Sequence, residues 1–336
     1  MSSNALPIVA SIMVSVLLIF AISFTLRSFA KKITAPIHNS APIRASLSAA
    51  DATPRVLQTR FVSGYIFVRA SVVYAGQSRT AAWFMLDSGT TSCLLSYDYA
   101  AQAGIRATGS TELSSGTVSR VGTASVDGFA VAALGGSALL TQPQVVTILD
   151  DDSVIQSIVG GQHILAENYG GILGVPFLRE FNLLIDYQRE RVIATRRPLA
   201  ELGAPTAVVP ISLVNPVNGK PEMTVPVLLN GQPAGQWVLD LGSDSSIVTQ
   251  AVSERLGLKA GAPFQQLSLS DATITSGSAT VTLSLGPALS SKQLVVDLPD
   301  APIQALNSYG GDLATDYFRL LGKIGISVQQ SEIYLY

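Results

Sequence analysis

Short apolar segments separated by Gly, Ser and Thr run from about residue 56 to the end of the chain. Phe61 to Val73 and Thr80 to Leu86 have the length and apolar content of strands. Val225 to Leu229 is followed by Asn230-Gly231, a strong short-range hairpin signal. The pattern therefore predicts a mainly β protein.

Two short helices and two long polar-apolar alternations complete this pattern. Tyr97 to Gly104 and Ser253 to Leu258 have helical character in equivalent places. Thr108 to Leu134 alternates loosely and is rich in Gly and Ser, which predicts a long hairpin. Leu267 to Leu285 alternates over a similar length, with a turn expected at Ser276-Gly277.

One predicted strand is followed directly by an acidic residue: after Trp83 to Leu86 comes Asp87-Ser88-Gly89-Thr90. A buried strand that ends in a carboxylate is costly unless something pairs or uses that carboxylate. Gly89 allows a sharp turn, and Ser88 and Thr90 can donate hydrogen bonds to Asp87. Taken alone, the string also fits an ordinary turn.

The same pattern occurs a second time in the chain. Trp237-Val238-Leu239 leads into Asp240-Leu241-Gly242-Ser243, and Tyr169-Gly170-Gly171-Ile172-Leu173-Gly174 recurs as Tyr309-Gly310-Gly311-Asp312-Leu313-Ala314. Self-similarity of this kind indicates that one structural unit is duplicated.

These motifs, together with Phe181 to Tyr187, resemble the aspartic peptidase clan, in its retropepsin-like and pepsin-like forms, over roughly residues 56 to 336. The resemblance implies two similar β-barrel-like lobes related by a pseudo-twofold axis, with a cleft between them. The domains expected are a membrane anchor at 1–30, a flexible tether at 31–55, a first lobe at 56–200 and a second, more degenerate lobe at 201–336.

The resemblance also implies a site and a reaction. Asp87 and Asp240 would meet across the lobes, share a proton and activate a water that attacks a peptide bond. The expected ligand is an extended peptide or protein substrate, bound by a monomeric single chain. Residues expected to support the pair are Ser88, Gly89, Thr90, Gly242 and Ser243, and the tip of a covering flap is expected at Ser115, Gly116 and Thr117.

The second copy departs from the family pattern. Leu241 stands where the family has a hydroxyl residue that ties the two catalytic loops together, Asp312 replaces Ile172, and Ala314 replaces Gly174. These departures motivate an alternative, a weak or inactive pseudopeptidase that binds peptides or a protein partner in the same cleft. An unrelated all-β envelope protein without a groove is a third hypothesis.

Ala5 to Leu26 is uncharged and mostly apolar, which is long enough for a transmembrane helix. A cleaved signal peptide is the competing interpretation. Arg27, Lys31 and Lys32 would hold the carboxyl side in the cytoplasm, whereas peptidases of this kind are expected outside it. We therefore expect a single-pass membrane protein and leave the side open.

Charge and composition exclude other classes. A net charge of −2 argues against a nucleic-acid surface. Cys93 and the two His residues follow no metal-ligand spacing, so neither a metal nor a cofactor is expected. Cys93 is expected to pack as a small apolar residue, Asp150-Asp151-Asp152 to form a solvated turn, and Asp186 to be a strand-end acid.

Overall fold

A computed structural model describes residues 53–115, 117–149, 168–214, 222–267, 273–287, 289–303 and 306–336. All of these residues belong to one compact unit. The predicted membrane span at Ala5 to Leu26 and most of the tether lie outside them. Within the described ranges, no helix combines the length and apolar character needed to cross a bilayer.

The first half of the described chain is built mostly from strands. They are β1 Arg55–Val56, β2 Thr59–Val62, β3 Tyr65–Tyr74, β4 Gln77–Ser78, β5 Ala82–Leu86, β6 Cys93–Leu95, β7 Gly109–Ser115, β8 Thr117–Val126, β9 Gly128–Val131, β10 Leu139–Leu140, β11 Gln144–Ile148, β12 Tyr169–Leu173, β13 Asn182–Asp186 and β14 Arg191–Thr195. Two short helices accompany them, α1 Tyr97–Ala103 and α2 Val175–Leu178. A 3-10 turn at Leu199–Leu202 leads into the second half.

The second half repeats this composition. Its strands are β15 Ala207–Pro210, β16 Ser212–Val214, β17 Glu222–Leu229, β18 Gln232–Leu239, β19 Ile247–Val248, β20 Phe264–Leu267, β21 Thr273–Ser284, β22 Lys292–Pro299, β23 Gly311–Leu313, β24 Lys323–Ser327 and β25 Glu332–Leu335. Its helices are α3 Gln250–Arg255 and α4 Thr315–Leu321. The expectation of a mainly β fold is confirmed.

The duplication seen in the sequence is also present in the strand order. The first half contains the path β3-β5-β12-β6-β11-β8-β7, and the second half contains β17-β18-β23-β19-β22-β21-β20. Pair directions match as well: β5–β12 and β18–β23 are parallel, whereas β12–β6 and β23–β19 are antiparallel. Each half therefore places its Asp-bearing strand at the same point of the same topology.

A third sheet joins the two halves. Its order is β1-β14-β13-β24-β25-β15, so β13 from the first half pairs directly with β24 from the second. A single large cluster of buried apolar side chains runs through both halves, including Phe84, Phe177, Trp237 and Phe318. The shared sheet and continuous core fix the two Asp-bearing strands relative to each other.

Local chemistry explains several elements. Helix α1 begins after Ser96, whose hydroxyl accepts the Tyr99 N–H, and ends at Gly104 with a left-handed φ of 70°. The Asn230-Gly231 turn between β17 and β18 has φ of 50° and 76°, as a type I′ hairpin requires. The prediction of a turn at Ser276-Gly277 is wrong, because both residues lie inside β21. Ser276 pairs with β20 and β22, and Gly277 pairs with β22.

Candidate active site

Asp87 and Asp240 each follow the last residue of a strand in the middle of a sheet. Strand β5 is buried at every position, and β18 is buried over its last three residues. The Asp87 N–H donates to Leu173 of β12, and the Asp240 N–H donates to Leu313 of β23. Each acid is thus held at the end of a strand by the neighbouring parallel strand.

The two loops that follow these strands lie against each other. A Cβ atom at Gly89 would lie 2.7 Å from Cγ of Asp240. A Cβ atom at Gly242 would lie even closer to Cγ of Asp87. Real side chains do not approach this closely, so glycine is required at both positions. The structure therefore brings Asp87 and Asp240 together, with each carboxyl against the glycine of the opposite loop.

Asp87 receives its hydrogen bonds from its own loop. The N–H groups of Gly89 and Thr90 donate to Oδ1 at 2.8 and 3.0 Å, and the Thr90 hydroxyl donates to Oδ2. The residue is only 3% exposed. Three converging donors suit a negatively charged carboxylate in a buried position.

Asp240 has a different set of neighbours. The Gly242 N–H donates to its Oδ1 at 2.6 Å, and the carboxyls of Asp87 and Asp312 are close enough to act on its charge. Burial raises the pKa of Asp240 well above its usual range, and the charges of Asp312 and Asp87 raise it further. Burial and these neighbouring charges therefore favour the protonated form of Asp240.

Ser88 does not orient Asp87, which corrects our expectation. Its hydroxyl donates to the Leu239 carbonyl at 2.6 Å and accepts the Leu241 N–H at 2.9 Å. This serine therefore ties the first loop to the backbone of the second. Leu241 itself is fully buried in the apolar core, so the reciprocal hydroxyl tie is replaced by packing.

Ser243 also departs from expectation. Its hydroxyl donates to the Ser245 carbonyl at 3.0 Å, so it closes its own turn and does not support Asp240. The loop is held instead by Asp316 on α4, which accepts from the N–H and hydroxyl of Ser246 at 2.8 and 2.6 Å. Ser245 donates to Asp297 at 2.7 Å.

Asp312 is a site residue that the sequence analysis did not predict. It lies in β23, is 7% exposed, and its charge raises the pKa of the neighbouring Asp240. Burial raises its pKa. The mismatch between Asp312 and Ile172 in the repeat was the signal that could have identified it.

The expected flap tip is only partly described. The backbones of Ser115 and Thr117 pair with each other, so β7 and β8 do form a hairpin that ends there. Gly116 lies outside the described residues, as do Asp150 to Asp152 and His163. Of the other residues singled out, Cys93 is buried and unpaired, and Asp186 accepts hydrogen bonds from Arg189 at the end of β13.

Among the described residues, no group of three or more His, Cys, Asp or Glu side chains is arranged to hold an ion. The carboxyls of Asp87 and Asp312 are close enough to Asp240 for their charges to raise its pKa. Neighbouring buried acids of this kind cannot all be charged without strong mutual repulsion.

No protein-family model and no curated protein matches the chain. Among solved structures, conglutin gamma, a basic 7S globulin from lupine seeds, is 10% identical, covers 84% of this chain and 95% of its own, and has a TM-score of 0.51. The protein edgp is 8% identical, covers 84% of this chain and 94% of its own, and has a TM-score of 0.51. EIAV protease complexed with the inhibitor HBY-793 is 23% identical but covers 30% of this chain and 88% of its own, with a TM-score of 0.23.

These similarities bear on the fold alone. The lupine globulin and edgp match most of the chain at very low identity, so they share its overall β architecture. The likeness to EIAV protease is too slight to carry an argument. The mainly β architecture with several sheets is consistent with a two-lobe, peptidase-like fold.

Proposed function

We propose that the cleft between the two halves binds an extended peptide or protein segment across the Asp87–Asp240 pair, and that this pair hydrolyses the bound segment only weakly. The proposal rests on the close approach of the two carboxyls, each of which lies against the glycine of the opposite loop. Burying two acids together is costly, and such pairs concentrate at functional sites.

The different surroundings of the two acids assign their roles. Asp87, with three donors, is the charged member and takes a proton from a water molecule bound between the acids. Asp240 is the protonated member and donates to the oxygen of the peptide carbonyl as the water attacks its carbon. No covalent bond to the protein forms. When the C–N bond breaks, the proton taken by Asp87 passes to the leaving amine, and Asp240 recovers a proton from a hydroxyl of the diol intermediate.

The weakness of this activity follows from the second loop. Asp240 receives one N–H and no hydroxyl, and its proton is also shared with Asp312. A proton held between two carboxyls is less available to polarise a substrate carbonyl. Asp312 therefore competes with the substrate for the general acid.

Binding without any cleavage is the second candidate function. The altered second loop favours it, because Leu241 and Ser243 give Asp240 none of the support that Thr90 gives Asp87. The two similar structures do not discriminate strongly, but one of them is named as a seed globulin and neither as a peptidase. Both functions place a peptide in the same cleft.

One experiment separates these functions. The full-length protein is incubated with a mixed peptide library from acidic to neutral pH, with and without pepstatin, and bound and cleaved peptides are identified by mass spectrometry. We expect retained peptides, slow product formation, and loss of products in Asp87→Asn. Retention without products would favour binding alone, rapid turnover would contradict the proposed weakness, and no retention would refute a peptide-binding cleft.

A further inference from the structure

Two equivalent sets of buried side chains border the Asp pair, one in each half. Side chains alternate along a strand, so Met85 and Val238, two residues before each Asp, lie on the same face as that Asp. In the neighbouring parallel strand, Ile172 is in register with Met85, and Asp312 is in register with Val238. The duplication thus allows the two faces to be compared position by position.

The first-half face is apolar. Met85 and Ile172 pack with Phe67, Tyr169 and Trp83 in one buried cluster. Aromatic and aliphatic side chains of this kind suit an apolar residue of a bound peptide.

The second-half face has acids in the matching places. Phe67 pairs with Met85 in the first half, whereas Thr224 pairs with Val238 in the second, and Asp312 stands where the first half has Ile172. Glu222, at the start of β17, adds a second carboxyl whose charge acts on Asp312. The second-half face therefore carries two acids in addition to the apolar cluster of Val238, Leu306 and Tyr309.

Asp312 lacks a conventional hydrogen-bond donor. It is 93% buried, and no N–H, hydroxyl or basic group of the described residues donates to its Oδ1. The charged groups that act on it are Asp87, Asp240, Asp316 and Glu222, from four different segments, and all are acids. A carboxyl in this setting must either keep a proton or be neutralised by a cation from outside.

We propose that the second-half face takes a lysine or arginine side chain of the bound peptide, whose cation is hydrogen-bonded by Asp312 beside Asp240. This inference rests on the proposed peptide-binding function and adds a substrate class to it, a peptide with one apolar and one basic residue flanking the Asp pair. The incoming cation replaces the proton on Asp312, so binding of the basic residue releases a proton. The preference for a basic residue therefore strengthens as the pH rises from acidic to neutral.

The test uses the full-length protein and synthetic peptides that differ at one position only. Arginine is compared with citrulline and lysine with norleucine, since each pair matches in shape and differs in charge, and the position is moved along the peptide. Dissociation constants are measured by isothermal titration calorimetry at two pH values. At one position we expect the charged peptide to bind about tenfold more tightly than its neutral match, the scale of one hydrogen bond between charged groups.

Two substitutions localise the effect. Asp312→Asn keeps the shape of the side chain and should abolish the preference for charge, and Asp312→Ile, which copies the first half, should do the same. Asp186→Asn is the matched control, because Asp186 is a buried acid bound by Arg189 in the third sheet, outside the face. That variant should keep the preference.

The outcomes are distinguishable. Peptides that bind with equal affinity whatever their charge would overturn the inference and leave the proposed function intact. A preference for charge that survives both Asp312 substitutions would also overturn it. If no peptide binds to the wild-type protein, the proposed function itself fails.

Discussion

The Asp87 loop and the Asp240 loop have the same backbone design and different chemistry. Both follow a central strand, both carry a glycine that touches the opposite acid, and both are followed by a short helix. Asp87 is surrounded by donors, whereas Asp240 is surrounded by other carboxyls. A duplicated fold can therefore keep two acids close together while the surroundings of one of them change.

This difference has a functional consequence. In a symmetric pair, either acid can hold the shared proton, but here burial and neighbouring carboxyls raise the pKa of Asp240. In the proposed function, the first loop supplies the base, and the second loop supplies the acid together with a binding face. Substitutions in the two loops can remove or exchange these features one at a time.

The largest effect is expected from Asp87→Asn. An amide cannot accept a proton from water, so hydrolysis should fall by about a thousandfold, the scale of general-base catalysis. Peptide binding and the melting temperature should change little, because asparagine keeps the shape of the side chain. Cleavage is followed by mass spectrometry and unfolding by circular dichroism. Undiminished cleavage by this variant would remove Asp87 from the mechanism.

Gly242→Ala should separate the two acids. Its new methyl group would overlap the Asp87 carboxyl, so the pair must move apart, and misplacement of this size costs about a hundredfold in rate. Gly257→Ala is the control: its Cβ meets no atom within 4 Å, although its φ of 64° makes alanine unfavourable by about 1 kcal/mol. Both variants lose stability, but only Gly242→Ala should lose hydrolysis disproportionately. Equal activities would show that the close approach is unimportant.

The two hydroxyl residues of the loops provide a matched pair. Thr90→Val removes a donor to Asp87 and should lower the hydrolysis rate about tenfold, as expected for a hydrogen bond to a charged group. Ser243→Ala removes a bond to the Ser245 carbonyl and should leave the rate within about twofold. Initial rates at saturating peptide test both. A larger loss in Ser243→Ala than in Thr90→Val would reverse the comparison.

The smallest effect concerns stability against pH. The pKa values of Asp240 and Asp312 are raised in the folded protein, so the native state holds more protons than the unfolded state above about pH 4. The free energy of unfolding should therefore fall as the pH rises from this value. Each such proton contributes a slope of up to about 1.4 kcal/mol per pH unit.

Asp312→Asn removes one of these protons, so urea unfolding at several pH values should show a shallower decline for this variant. Asp186→Asn should have the opposite effect: this variant should lose less stability than the wild-type protein on acidification. Arg189 hydrogen-bonds Asp186 and lowers its pKa despite the opposing effect of burial, so that acid contributes stability at neutral pH that is lost on acidification. Identical pH profiles for the wild-type and Asp312→Asn proteins would contradict the buried, protonated state of Asp312.

Much of this architecture could be predicted from the sequence, because its signals are local. The apolar runs into Asp87 and Asp240, the Asn230-Gly231 hairpin and the internal repeat each depend on neighbouring residues or on self-similarity. Their positions in the duplicated topology follow from these local signals. The need for Gly89 and Gly242 also follows once the two loops face each other.

The remaining features depend on packing between distant segments. Ser88 can donate to Asp87 or across the loops, and only the position of Leu239 decides between these partners. Asp312 reaches Asp240 because β23 lies beside β18 in one particular register. Ser276-Gly277 resembles a turn, yet pairing on both sides keeps it extended within β21.

The most direct test of the account is a crystal structure of the protein bound to pepstatin. We predict that the central hydroxyl of the inhibitor lies within hydrogen-bonding distance of both Asp87 and Asp240, with its backbone extended along the cleft. Inhibitor bound elsewhere, or carboxyl groups of Asp87 and Asp240 too far apart to share one ligand oxygen, would contradict a single site built from both halves.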